Sequence, residues 1–153
     1  MNNFLTTKSF HQYYLISRIF LFFIIIPISF PHKAYSSELD NLFLKLKLSD
    51  NAVLARNYES KIWKIWLNSG SSDASNNQMQ IGLKLMENGQ LVHAQKVFEE
   101  ISIKDPNWAE SYNKIATIKF LKGDYSGSIN DIQKTLKLEP RHFGAISGLV
   151  QIN

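Results

Sequence analysis

Gly89, in MENGQLVHAQKVFEEISIKDP, stands 17 residues before Pro106, and Gly123, in LKGDYSGSINDIQKTLKLEP, stands 17 residues before Pro140. Sliding the chain on itself by 34 residues pairs Ile81 with Ile115, Gly82 with Ala116, Gly89 with Gly123 and Leu91 with Tyr125. It also pairs Ala94 with Ser128, Phe98 with Ile132 and Pro106 with Pro140. Each pair keeps its size class. A fixed period of this length marks a chain assembled from stacked units, because one short unit cannot bury its own apolar face.

The phase within each unit is helical. Ala94, Val97, Phe98 and Ile101 fall at i, i+3, i+4 and i+7, and Ser128, Ile132, Thr135 and Leu136 repeat that stripe one unit later. The helices that precede them carry Ile81 and Leu85 in one unit and Tyr112, Ile115 and Ala116 in the next. Small residues, Gly82 and Ala116 facing Ala94 and Ser128, let the paired helices approach closely. Gly89 and Gly123 end the first helices where a left-handed residue costs least, Leu91 and Tyr125 fill the space beside the turn, and Pro106 and Pro140 stop the second helices.

A period of 34 with these small residues and closing prolines resembles the tetratricopeptide repeat family. The resemblance implies an all-α fold, a right-handed solenoid of helical hairpins with two full repeats, 75–108 and 109–142, and a segment 143–153 that begins a third. That last segment either caps the solenoid or is a shortened repeat. Two departures stand out: Gln78 opens repeat one where the family usually has an aromatic, and Lys119 takes the place of Leu85, with its stem expected along the core and its ammonium in water.

Upstream, 37–70 reads as a pair of amphipathic helices. Leu39, Leu42, Phe43 and Leu46 line the first, and Tyr58, Ile62, Ile65 and Trp66 line the second. Asp50 or Asn51 caps the second helix and Gly70 ends it; residues 71–77, within SGSSDASNN, read as a polar loop. In the last segment Ile146 and Leu149 mark the apolar face. The helical pair and the ending LEPRHFGAISGL resemble a group of small exported bacterial tetratricopeptide proteins, whose motifs define no activity.

Charge separates the N-terminus from the rest. All 13 acidic residues and 14 of the 17 bases follow Ser36, a near-neutral balance of +1 that gives little support to binding a nucleic-acid backbone, so no nucleic acid is expected. Before it, a weakly basic stretch 1–18 leads into the apolar run IFLFFIIIPISF, 19–30, and PHKAYSS, the order of a secretory signal peptide over 1–36. Twelve helical residues span about 18 Å against a hydrocarbon core of roughly 30 Å, which favours a cleaved signal with Ala34 and Ser36 at the processing site. Cutting after Ala34 is the second choice. The expected location is periplasmic or secreted; the alternative is an inner-membrane anchor that retains 19–30. With no Cys in the chain, packing alone holds the fold.

No catalytic constellation and no cofactor site is legible. His93 and His142 read as isolated, solvated surface histidines, Asp124 as a helix cap, and the adjacent Glu99 and Glu100 as solvated surface. Trp63 and Trp66, three apart, read as core or capping contacts with the repeats, with a partner-docking ridge as the alternative. The resemblance implies a non-catalytic module that binds a protein or peptide on the concave face of its first helices. That face would carry Asn76, Met79, Leu83, Met86 and Glu87 from repeat one and Glu110, Asn113, Thr117, Phe120 and Leu121 from repeat two. Met79 and Leu83 replace the basic and amide side chains of the family's carboxylate clamp. The competing expectation is that the upstream helices cover part of this face. A membrane-anchored scaffold subunit is the alternative function.

Overall fold

The computed structural model describes residues 35–152, in which seven helices and no strand occur. They are α1 (Tyr35–Leu48), α2 (Ala52–Leu67), α3 (Asp73–Glu87), α4 (Leu91–Lys104), α5 (Ala109–Leu121), α6 (Tyr125–Leu138) and α7 (Phe143–Ile152). The apolar run 19–30 and the basic stretch before it lie outside the described residues. The expected processing position after Ser36 falls in the first turn of α1. None of the described helices is long and apolar enough to cross a membrane.

The helices pair as α1/α2, α3/α4 and α5/α6; α4 then packs on α5 and α6 on α7. The chain is a helical-hairpin solenoid with two full repeats, flanked by a preceding hairpin and a following helix. Its turns are built as the two glycines require. Gly89 has φ 72° and Gly123 φ 79°. In the first turn the N–H of Gln90 reaches the Leu85 carbonyl at 2.9 Å and that of Gly89 reaches Met86 at 3.0 Å. Asp124 to Lys119 and Gly123 to Phe120, both 2.9 Å, repeat the pattern in the second turn. These paired bonds satisfy carbonyls that the helix end would otherwise leave free.

Packing explains the small residues. A Cβ on Gly82 would lie 2.5 Å from the Phe98 ring, which is wholly buried. In the second hairpin Ser128 donates its hydroxyl to the Ala116 carbonyl at 2.8 Å, so small size and a hydrogen bond hold α6 against α5. The main core joins Met79, Phe98, Ile101, Trp108, Ile115 and Ile118 across three helices. A smaller core of Ala116, Ile132 and Ala145 seats α7, and Leu42, Ile62 and Trp66 form the core of the first hairpin. Pro106 and Pro140 lie just beyond the ends of α4 and α6, and Asp124 caps α6 by accepting the Gly127 N–H at 2.9 Å.

Several expectations are corrected by local chemistry. The polar loop placed at 71–77 is shorter, because the Ser72 hydroxyl accepts the Ser75 N–H at 3.1 Å and α3 starts at Asp73. Asn51 is the cap of α2, taking the Val53 and Leu54 N–H groups at 2.8 and 3.1 Å. That helix ends at Leu67 with Asn68 as its cap, while Gly70 instead donates its N–H to Asn76 Oδ1 at 2.9 Å. Ile81 and Ile146 are about half exposed, and in α7 Ala145 is buried with Leu149 packed against the same core. Lys119 does not leave its ammonium to water alone: it pairs with the buried Asp131 at 2.6 Å, which also meets Lys134 at 2.9 Å.

Candidate interaction surface

The start of each first helix sets the geometry here. Trp108 occupies the cap position of α5, and His142, 34 residues later, stands immediately before α7. Both are buried. His142 caps its helix with its own ring: Nδ1 accepts the Ala145 N–H at 3.2 Å, and its carbonyl accepts the Ile146 N–H at 3.0 Å. With Nδ1 an acceptor, the ring proton is assigned to Nε2, which donates to Glu110 Oε2 at 2.8 Å.

The α1/α2 hairpin docks on these two positions. The indole of Trp66 stacks on the His142 ring with centroids 4.0 Å apart and 12° between planes. Its carbonyl accepts the Trp108 indole N–H at 2.7 Å. Trp63 meets His142 edge-on at 5.5 Å, and both tryptophans touch Phe143. Gly144 makes room, since a Cβ there would come within 2.6 Å of the Trp63 ring. At the rim, Arg141 bonds Asp40 of α1 at 2.6 Å and Glu139 at 2.9 Å. Trp66 Nε1 is buried with no hydrogen-bond partner among the described residues, so this indole is held by stacking and area rather than by its polar handle.

Glu110 is sealed beneath. Its carboxylate receives His142 and, at 2.8 Å, the Lys114 ammonium, whose nitrogen also lies 5.2 Å from the Trp63 ring centre. Burial pushes the Glu110 carboxyl up, but the bonds from His142 and Lys114 outweigh it and hold the group below its ordinary value. Both side chains of the Glu110 and His142 pair are 0% exposed. A carboxylate and an imidazole with no route to a substrate have no proton to exchange with one, so this pair positions helices.

The face expected to bind a partner is therefore only partly open. Glu110 is buried against His142 and Lys114, Asn113 is buried beside it with its amide 3.3 Å from Glu110 Oε2 and also lines the cleft toward α7, and His142 is not a surface residue but the centre of the seat. Met79 points into the main core and is wholly buried. Leu83 and Met86 are half-buried against the same core, Asn76 is half-buried on Gly70, and Glu87 is exposed. On α5, Thr117 and Phe120 remain half-buried and Leu121 is 56% exposed. Glu110 is taken by the seat and Met79 by the main core, so neither is offered to a partner; covering of the face by the upstream helices was the competing expectation.

What remains is a cleft lined by Asn113, Thr117 and Phe120 of α5, Ile132 of α6, and Gly148 and Gln151 of α7, with a volume of about 100 Å³. Small-molecule sites usually need roughly 300–1,000 Å³. This cleft has room for about one side chain. No group of three or more metal-ligating side chains occurs among the described residues. His93, Glu99 and Glu100 are exposed.

The chain is 38% identical over 115 residues to a TPR repeat-containing protein of Rhizobium etli, an alignment that covers 75% of this chain and 56% of the relative. It thus spans a little over half of that relative's length. No family model matches the chain, and no solved structure matches it. The 34-residue register, the paired helices with their left-handed glycine turns and this relationship together place the chain in the tetratricopeptide repeat family.

Proposed function

We propose that the repeats bind a protein or peptide partner without catalysis, and that the contact surface is the open half of the concave face, Thr117, Phe120 and Leu121 with the cleft toward α7. The family relationship supports protein–protein interaction in general. The observation that carries the narrower reading is the pairing of an exposed Leu121 and a half-buried Phe120 with a cleft sized for one side chain. A partner segment that inserts an apolar residue beside Phe120 would bury both, as helix- and strand-docking grooves do.

The test is affinity capture from cells after cross-linking, with the parent beside a Thr117→Arg, Phe120→Ala double variant whose melting is checked first. A partner retained by the parent and lost from the folded variant supports the reading; equal recovery from both moves the contact elsewhere. We place this activity in the cell envelope, on the leader-like order of the first 36 residues. A mature protein whose mass still includes residues 19–30 would contradict a cleaved signal and favour the anchored-scaffold alternative.

A further inference from the structure

The end of α1 and the start of α2 carry four large apolar side chains that belong to no core. Leu44 is 55% exposed, Leu48 72%, Val53 66% and Leu54 51%. In α1 the core-facing residues are Leu39, Leu42, Phe43 and Leu46. At about 100° per residue, Leu44 and Leu48 share the opposite face, and Lys45 and Lys47 lie on either side of that line. Val53 and Leu54 continue the patch in the first turn of α2, followed by the exposed Arg56. Between Leu44 and Tyr58 the only acid is Asp50, against three bases.

We propose that this tip docks on an anionic lipid surface, with the four apolar side chains entering the boundary of headgroups and acyl chains while Lys45, Lys47 and Arg56 meet the phosphates. Two observations favour lipid over a protein groove. The bases flank the apolar line on both sides, the pattern that suits a planar negative surface. The patch also flanks the α1–α2 turn from both helices with every member more than half exposed, so it is a projection to be inserted rather than a groove to be filled. Val53 and Trp66 are 13 residues apart on α2, which puts the tip about 20 Å along the helix from the tryptophan seat. The hairpin can therefore stay seated on the repeats while its far end meets a membrane. This inference does not depend on the partner-binding reading.

The absence of cysteine makes a local test clean. An environment-sensitive fluorophore is attached to the full chain at Leu48→Cys or, as a control, at Gln133→Cys on the exposed side of α6. Each labelled chain is added to vesicles of phosphatidylcholine alone or of phosphatidylcholine and phosphatidylglycerol in equal parts. The expected result is a blue shift and protection from an aqueous quencher at position 48 only, with the phosphatidylglycerol vesicles. With Lys45→Gln, Lys47→Gln and Arg56→Gln together, half-maximal protection should need on the order of 100-fold more lipid, about fivefold per base. Circular dichroism and tryptophan emission check that the substituted chains stay folded. Equal quenching at positions 48 and 133, or protection that survives neutralisation and is unchanged on neutral vesicles, overturns the proposal. Protection that grows with protein concentration in the absence of lipid overturns it in favour of a second copy of the chain.

Discussion

Trp66 lies between two residues that the repeat makes equivalent: its ring stacks on His142 at 4.0 Å, while its carbonyl takes the indole N–H of Trp108 at 2.7 Å. One side chain and its backbone thereby fasten the first hairpin to the starts of α5 and α7. The same contact closes part of the groove that the first helices would otherwise offer. The seating of the hairpin and the exposure of that groove are set by one set of atoms.

Glu110 should reveal how much this seat depends on charge. Glu110→Ala leaves the His142 Nε2–H and the Lys114 ammonium without their buried acceptor, a loss of about 3–5 kcal/mol in denaturant unfolding. Glu110→Gln keeps an acceptor for His142 and the volume, and should cost well under half of that. Equal losses for the two variants would show that volume rather than pairing governs the site.

Acid should loosen the seat by the same group. The folded Glu110 carboxyl sits below its ordinary value of 4.5, so its contribution is fully present above that value and fades as pH falls through the lower folded one. Unfolding free energy measured from neutral pH downward should therefore decline on the acid side of about pH 4.5. In Glu110→Gln that limb should be shallower than in the parent; an unchanged slope contradicts the assignment.

Glycine substitutions should separate backbone strain from crowding. Gly89→Ala and Gly123→Ala meet no atom, so each should cost only the left-handed penalty of about 1–2 kcal/mol. Gly82→Leu drives a side chain into the wholly buried Phe98 and should cost more, about 3 kcal/mol or beyond, or prevent folding. Thermal melting of the three variants gives the order directly.

The repeats themselves were readable because glycine and proline act locally: left-handed φ at Gly89 and Gly123 and the stops before Pro106 and Pro140 need no knowledge of the rest of the chain. The contacts of the seat were harder to read. His142 looks isolated in the sequence, since its carboxylate partner lies 32 residues away and its aromatic partner 76. A signal was present, for the 34-residue offset that pairs the prolines also pairs Trp108 with His142, two residues beyond each proline. What the offset alone does not supply is the third member, Trp66, which lies outside the repeats. For the same reason Glu110 and Met79 read as groove residues: the family resemblance assigns them a face, but which positions the core and a flanking hairpin take is decided by tertiary packing.

The proposed function is tested most directly by placing a photo-activated cross-linking residue in the full chain at Leu121, beside the cleft, and separately at Ile103, an exposed position on α4. Activation in living cells should give a discrete protein adduct from position 121 and none from position 103. Adducts from 103 alone, or the same adduct from both, would contradict a partner held on the open half of the concave face.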